Sequence, residues 1–133
     1  MNELVLTIPI EPPSGNHYKS FRVIGKHASW YLTAKAKAWH VEVYMAAAAA
    51  SNCYTRDGSC KCRMVSGVAH EVTYTVYQGS GSRGDVDNYA KCILDALVKA
   101  GALKSDASVV SLHAHKVRDR VNPRTEIHIK EIA

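Results

Sequence analysis

Two aspartates placed two positions apart are the first candidates for chemistry in this chain. Asp85 and Asp87 lie in the run RGDVDNYAK over residues 83–91, after a Gly- and Ser-rich stretch and before a segment with helical spacing. In an extended segment such residues point to the same side, and their carboxylates repel each other unless a cation lies between them. Because Mg²⁺ prefers a few carboxylate oxygens plus retained waters, the pair is a candidate for half of a magnesium site.

Further charged residues downstream extend this candidate site. Lys91 is four residues after Asp87, and Asp95 is four residues after Lys91, so these side chains become neighbours on a helix. The Lys91 ammonium would then point toward a reacting phosphate. Asp106 lies in the loop before a later strand, and whether it reaches Asp85 depends on the strand order, which the pattern does not fix.

Each of these residues also has a simpler interpretation that needs no metal. Asp87 suits the N-cap of the following helix, where it would accept a backbone N–H of the first turn. Asp85 suits a solvated loop, Asp106 suits a turn cap, and Lys91 with Asp95 forms an ordinary helical pair worth a few tenths of a kcal/mol. Taken one residue at a time, local rules favour the simpler interpretation.

Size and composition indicate a single domain over residues 1–133 that meets phosphate. The chain is 47% hydrophobic, its formal net charge is 17 − 12 = +5, and its pI is about 9.1, which is typical of nucleic-acid-binding proteins. We see no span of about 20 apolar residues and no signal peptide, so we expect a cytoplasmic protein without a membrane partner. Cys53, Cys60 and Cys62 lack the C-x₂-C spacing of zinc sites, which favours a reduced loop over a metal or redox site.

The apolar spacing predicts an α+β domain with the element order β-α-β-α-β-β, in which one mixed sheet carries two helices on one face. A basic and aromatic loop is expected over residues 17–32, and a hairpin is expected between the last two strands. Thr33 is predicted to cap the first helix and Gly101 to end the second. The predicted strands span 3–10, 64–77, 108–117 and 125–132, and the predicted helices run from Thr33 into the alanine tract and over 88–100.

One long stretch resembles a known family. DVDNYAKCILDALVKAGALKSDASVV, residues 85–110, is similar to the core of the RusA family of Holliday junction resolvases, whose pattern is D-x-D-N, a lysine, a D-A-L…K-A-G segment and an aspartate before a V-V strand. PPSGNHY at 12–18 and TAKAKAW at 33–39 resemble two further family segments. The resemblance covers roughly residues 4 to 131.

The resemblance implies a Mg²⁺-dependent endonuclease that acts on four-way DNA junctions as a homodimer, with Mn²⁺ as a possible substitute for Mg²⁺. The implied catalytic residues are Asp85, Asp87, Asp106 and Lys91, and the three aspartates are the implied metal ligands. Asn88 and Asp95 match family positions that we expect to support the site without binding the metal. Two alternatives remain open, a junction-binding protein without activity and a metal-dependent nuclease on other branched DNA or on RNA.

The basic residues supply candidate DNA contacts, each with a solvated surface position or simple turn chemistry as its alternative. Lys35 and Lys37 fall in the first turn of a helix, where positive charge opposes the helix dipole and a bound phosphate would offset that cost. The full set of candidates is Asn16, His17, Tyr18, Lys19, Arg22, Lys26, Lys35, Lys37, Arg83 and Lys116.

Overall fold

A four-stranded mixed sheet and two helices build the fold, with a separate two-stranded hairpin beside them. The computed structural model describes residues 3–14, 19–51, 69–79, 81, 84–103 and 105–132. Its strands are β1 Glu3–Ile8, β2 Lys19–Ile24, β3 His27–Leu32, β4 Ala69–Gln78, β5 Val109–Arg118 and β6 Arg124–Ile132. Its helices are α1 Ala34–Ser51 and α2 Ala90–Lys99, with short 3₁₀ turns at Val86–Tyr89 and Asp106–Ser108.

The sheet order is β1-β6-β4-β5, with β4 and β5 parallel and the other pairs antiparallel. Parallel neighbours need a long crossover, and here the crossover contains α2 and both 3₁₀ turns. The predicted hairpin between the last two strands is therefore wrong, because β5 and β6 lie on opposite sides of β4. Alternation defines which face of a strand is buried, but it does not define the strand's partners.

The core lies between one face of the sheet and the two helices, which confirms the α+β class. Alternate residues of β1, β4 and β6 are buried, and they meet buried residues of α1 and α2. Burying each large apolar side chain contributes about 1.5–3 kcal/mol. The indole N–H of Trp39 in α1 donates to the carbonyl of Cys92 in α2 at 3.1 Å, which joins the two helices inside this core.

Helix α1 begins as its sequence predicts. The Thr33 hydroxyl accepts a hydrogen bond from the Ala36 N–H at 3.2 Å, which satisfies one of the N–H groups left open at a helix start. The side of α1 that faces the core is fully or almost fully buried and includes Ala36, Trp39, Val43 and Ala47.

Helix α2 begins differently from the prediction and ends as predicted. The chain enters through a 3₁₀ turn, so the helix starts at Ala90, whose N–H donates to the main-chain carbonyl of Asp87. The predicted capping role of the Asp87 side chain is therefore wrong, since Asp87 lies within this turn. At the other end Gly101 has φ +81°, its N–H donates to Val98 at 3.1 Å, and the Ala102 N–H donates to Leu97 at 3.0 Å. These two bonds form a Schellman motif, for which a left-handed glycine is the usual residue.

The region 19–32, predicted as a loop, is an antiparallel hairpin of β2 and β3. Gly25 lies in its turn with φ +60°, a conformation that favours glycine. Phe21 pairs with Trp30 and Val23 with Ala28 across the strands, and aromatic cross-strand pairs stabilise such ladders. The charged residues between them obscure this strand signal. Among the described helices, none is long and apolar enough to cross a membrane.

Candidate active site

Two short acidic turns flank helix α2. The 3₁₀ turn before the helix carries Asp85 and Asp87, and the 3₁₀ turn after it begins with Asp106. All three side chains are exposed. Within the part of the chain that the structure describes, none of these carboxylates takes part in a salt bridge, so their oxygens are open to a ligand.

Side chains of strand β4 hold the first acidic turn in place through hydrogen bonds. The Tyr74 hydroxyl donates to the carbonyl of Val86, which lies between the two aspartates, at 2.6 Å. The Gln78 amide donates to the carbonyl of Gly84 at 2.9 Å and to the Tyr89 hydroxyl at 2.8 Å. These bonds fix the backbone on both sides of Asp85.

The same face of β4 holds the second acidic turn. His70 Nδ1 lies 3.1 Å from the Ser108 hydroxyl oxygen, and that hydroxyl donates to the Ser105 carbonyl at 2.8 Å. Because the Ser108 proton is used toward Ser105, the His70 Nδ1–H is the donor to Ser108. The Ser105 hydroxyl in turn accepts the Ala107 N–H at 3.1 Å, which closes the turn that presents Asp106.

His70, Tyr74 and Gln78 therefore form one polar row, at every fourth position on the buried face of β4. All three are at most 4% exposed and each makes at least one hydrogen bond, while the second ring nitrogen of His70, Nε2, is buried without a partner among the described residues. We call them the β4 polar row. It is the element through which a single strand positions both acidic turns.

Gly84 allows the first turn to approach Tyr89 closely. A Cβ atom at this position would lie 2.1 Å from the Tyr89 hydroxyl oxygen, a distance that requires some part of the turn to move. Since Tyr89 is only 3% exposed, it has little room to yield. Close packing against Tyr89 thus requires a glycine immediately before Asp85.

Burial fixes the protonation of the tyrosines in this region. It raises the pKa of Tyr74 to about 12, and the charge of Asp87 adds to this effect. Burial also raises the pKa of Tyr89. Both phenols are protonated at neutral pH, and Tyr74 can therefore act as a permanent donor to the acidic turn.

Lys91 and Asp95 form the predicted pair one helical turn apart. The ammonium lies 3.0 Å from the Asp95 carboxylate. The pKa of Lys91 is raised chiefly by this hydrogen bond and charge, and the charge of Asp106 adds to the effect. Lys91 is thus a cation that lies within electrostatic reach of the second acidic turn and has most of its side chain exposed.

An open cleft of about 530 Å³ lies between α2, the second acidic turn and the β2–β3 hairpin. Asp95 and Asp106 line one side of it, and Lys19 and Trp30 line the other. Asp106 therefore shares this cleft with Asp95. The full lining is Lys19, Trp30, Tyr31, Leu32, Asp95, Val98, Lys99, Ser105 and Asp106.

The donor types fit Mg²⁺, although the three predicted ligands are not drawn together. Exposed carboxylate oxygens are what Mg²⁺ prefers, yet no group of three or more His, Cys, Asp or Glu side chains in the described ranges is placed to hold an ion. Without a cation between them, the carboxylates gain no stabilisation from approaching one another, because their like charges repel. The ligand set Asp85, Asp87 and Asp106 stays a prediction.

The described candidate DNA contacts lie in three places, which are the β2–β3 hairpin, strand β5 and the start of α1. Lys19, Arg22 and Lys26 belong to the hairpin, where the Arg22 guanidinium lies 5.1 Å from the centre of the Tyr31 ring. The Lys116 ammonium on β5 lies 3.5 Å from the Gly84 carbonyl, beside the first acidic turn, while Lys35 and Lys37 are exposed at the start of α1. Asn16, His17, Tyr18, Arg83 and the three loop cysteines lie outside the described residues.

Sequence reasoning missed the residues that hold the turns in place. Tyr74 was expected only as part of the strand predicted over 64–77, and His70, Gln78, Gly84 and Ser108 were given no role at the site. The available signal was the alternation of β4, since polar residues there share the phase of the buried Val72 and Val76. Polar groups on a buried face must find partners, and these partners are the acidic turns.

The exposed carboxylates thus lie on two turns anchored by β4, and a cleft with both acidic and basic side chains adjoins the second turn. The chain belongs to the endodeoxyribonuclease RusA family, whose model matches residues 9–130. It is accordingly an endodeoxyribonuclease of a family that resolves Holliday junctions. Among curated proteins, no match to the chain was found.

Proposed function

We propose that this protein resolves four-way DNA junctions by Mg²⁺-dependent, paired and symmetric hydrolysis of two phosphodiester bonds. One observation carries the proposal beyond family membership. The β4 polar row anchors both turns that bear the exposed carboxylates, at Val86 and Gly84 on one side and at Ser108 on the other. Such buried anchoring is expected where carboxylates must be held for chemistry.

The proposed metal ligands are Asp85, Asp87 and Asp106. Bound Mg²⁺, or Mn²⁺ in its place, supplies a water of lowered pKa and neutralises negative charge on the phosphate. The carboxylates require a cation because they bring three negative charges to a site that must also admit DNA phosphate.

The remaining site residues act through charge and hydrogen bonding. Lys91 stabilises the negative charge that develops on the phosphoryl oxygens. Asp95 holds the Lys91 ammonium in a 3.0 Å pair and so keeps it oriented and protonated. The Asn88 N–H donates to the Asp85 carbonyl at 3.0 Å, which supports the backbone of the first acidic turn.

A homodimer follows from the symmetry of the substrate. Two matched incisions need two equivalent sites, which a C2 dimer provides. The formal charge of such a dimer is 2 × 5 = +10. Binding to DNA should therefore weaken steeply as the salt concentration rises, because the free energy gained by releasing counterions from the DNA becomes smaller. We place the enzyme in the cytoplasm with the nucleoid DNA that it acts on.

A panel of substrates at equal salt tests the proposal. Mobile four-way junction, flap, linear duplex and RNA are incubated with the purified protein in Mg²⁺, in Mn²⁺ and in EDTA. The proposal predicts metal-dependent nicks that are far faster on the junction than on any other substrate. Junction binding without nicks in either metal indicates a non-catalytic binder, and faster cleavage of flaps or RNA indicates a different nuclease. Either result contradicts junction resolution.

A further inference from the structure

The net positive charge of the chain is concentrated in one segment. Residues 12–41 contain five Lys and Arg residues and no Asp or Glu, so their formal charge is 5 − 0 = +5. The rest of the chain has 17 − 5 = 12 basic and 12 acidic residues and is formally neutral. This segment contains the β2–β3 hairpin and the start of α1. The hairpin and its surroundings are therefore a surface that attracts phosphate.

The hairpin also exposes an aromatic pair. Phe21 and Trp30 lie opposite each other across the two strands, with ring centres 5.2 Å apart and ring planes tilted by 59°. They are 53% and 68% exposed, whereas Trp39 and Tyr74 in the core are fully buried. Large aromatic side chains are usually buried or used for binding, so this pair requires a partner.

The aromatic pair lies on the hairpin face that contributes Lys19 and Trp30 to the cleft, while Phe21 lies beside Trp30 and outside the cleft lining. Lys19, Phe21 and Val23 alternate along β2 and share one face with Trp30 of β3. Lys19 and Trp30 line the same cleft as Asp106. A DNA strand with a phosphate at the second acidic turn would therefore run past an aromatic surface and a cation.

We propose that Phe21 and Trp30 form a stacking platform for an unstacked base at the branch point of the DNA. This inference rests on the proposed function. Stacking of a base on the aromatic pair would be the contact by which the protein distinguishes the junction from a duplex. Aromatic side chains stack on bases of any sequence, but a continuous duplex hides its base faces. At a branch point, base faces are exposed at a lower free-energy cost of unstacking, because the base pairs there lack a stacking neighbour on one side.

Charge favours DNA over a second copy of the chain as the occupant of this surface. Two hairpins packed against each other would bring together segments that carry +5 each and no acidic residue, and such like-charge contact is unfavourable. DNA supplies phosphates for Lys19 and Arg22 and base faces for the aromatic pair.

The test compares binding of a four-way junction with binding of a linear duplex of the same arm sequence, in EDTA and at several salt concentrations. The main variant is Phe21→Ile with Trp30→Ile, which keeps β-prone side chains in the hairpin and removes both aromatic faces. Val23→Ala, which removes another exposed apolar group from the same face, is the matched control. A 2-aminopurine at the branch point reports stacking by fluorescence.

The stacking platform predicts that the double variant loses about 5- to 150-fold in junction affinity, while its duplex affinity and salt dependence are unchanged. The 2-aminopurine signal that appears when wild-type protein binds should be absent. Val23→Ala should bind as wild type does. Equal losses on junction and duplex, an unchanged junction affinity, or conversion of a wild-type dimer into a monomer would each overturn the inference.

Wild-type activity separates this inference from the proposed function. If wild-type protein cleaves junctions and the double variant keeps full selectivity, only the stacking platform is wrong. If wild-type protein neither binds nor cleaves junctions, the proposed function fails, and the stacking platform fails with it.

Discussion

The acidic turns and the β2–β3 hairpin are built in opposite ways. The acidic turns are tied by hydrogen bonds to His70, Tyr74 and Gln78, which are buried in the middle of the sheet. The β2–β3 hairpin is a separate two-stranded sheet whose large side chains are mostly exposed. The acidic turns have the fixed geometry that catalysis needs, and the cationic hairpin has the open surface that substrate contact needs.

This difference implies that catalysis and affinity respond to different substitutions. Changes in the acidic turns or the β4 polar row should reduce cleavage of bound DNA. Changes in the hairpin should reduce binding, and loss of its cations should also reduce the dependence of binding on salt. Four substitutions test this separation, and they are taken in order of expected effect.

The largest effect is expected from Asp87→Asn. Loss of one negative ligand should reduce cleavage about 100- to 10,000-fold, while junction binding is retained or improved because a charge that repels phosphate is gone. Single-turnover cleavage and equilibrium binding on the same junction measure the two quantities. Glu42→Gln, which removes a carboxylate from α1, should leave both unchanged. Wild-type cleavage by Asp87→Asn would show that the metal assignment is wrong.

Gly84→Ala should both destabilise the fold and displace the first acidic turn. The new Cβ would meet the Tyr89 hydroxyl at 2.1 Å, and overpacking of this kind typically costs about 1–3 kcal/mol. Denaturant unfolding gives the loss of stability, and cleavage well below the unfolding midpoint shows whether the displaced Asp85 still functions. Wild-type stability together with wild-type cleavage would show that the turn is not packed as described.

Tyr74→Phe removes the hydrogen bond to Val86 and leaves the ring. We expect about 1 kcal/mol less stability and about fivefold slower cleavage, with junction affinity unchanged. Tyr77→Phe on the opposite face of β4 is the matched control. If both variants cleave at the wild-type rate, the β4 polar row does not position the turn.

The same variant should change stability in alkali. The pKa of Tyr74 is about 12 in the folded chain and about 10 as a model value, because burial disfavours the phenolate. Its stabilising contribution is therefore complete below pH 10 and is lost as the pH rises toward 12. Wild-type protein should lose more stability over this range than Tyr74→Phe does, and equal losses in the two proteins would contradict the assignment.

The smallest effect is expected from Arg22→Ala in the hairpin. Loss of one phosphate contact should weaken junction and duplex binding alike and reduce the slope of log affinity against log salt by about 0.9. Cleavage of fully bound junction should not change. Arg120→Ala removes the same charge from the exposed β5–β6 connection and should leave the slope unaltered. If the two variants behave alike, the hairpin is not a DNA-binding surface.

Patterns local in sequence predicted the fold class, the Thr33 cap and the Gly101 terminus, because spacing and single-residue geometry determine them. The strand partners of β5 and β6 could not be predicted, since pairing depends on competition for the edges of β4. The hairpin at 19–32 was missed because its cations and aromatic residues were interpreted as a loop, although Phe21 and Val23 alternate with Ser20 and Arg22 as strand residues do. The β4 polar row needed the tertiary fold, because Tyr74 and His70 meet the turns only after α2 crosses over the sheet.

The most direct measurement maps the cut sites on a mobile four-way junction, labelled on each strand in turn, in Mg²⁺. Junction resolution by the two equivalent sites of a dimer predicts paired nicks at symmetric positions on two opposite strands. The Asp87→Asn variant should make no such nicks while it still binds the junction. Nicks on one strand only, unpaired nicks along the arms, or no nicks at all would contradict junction resolution.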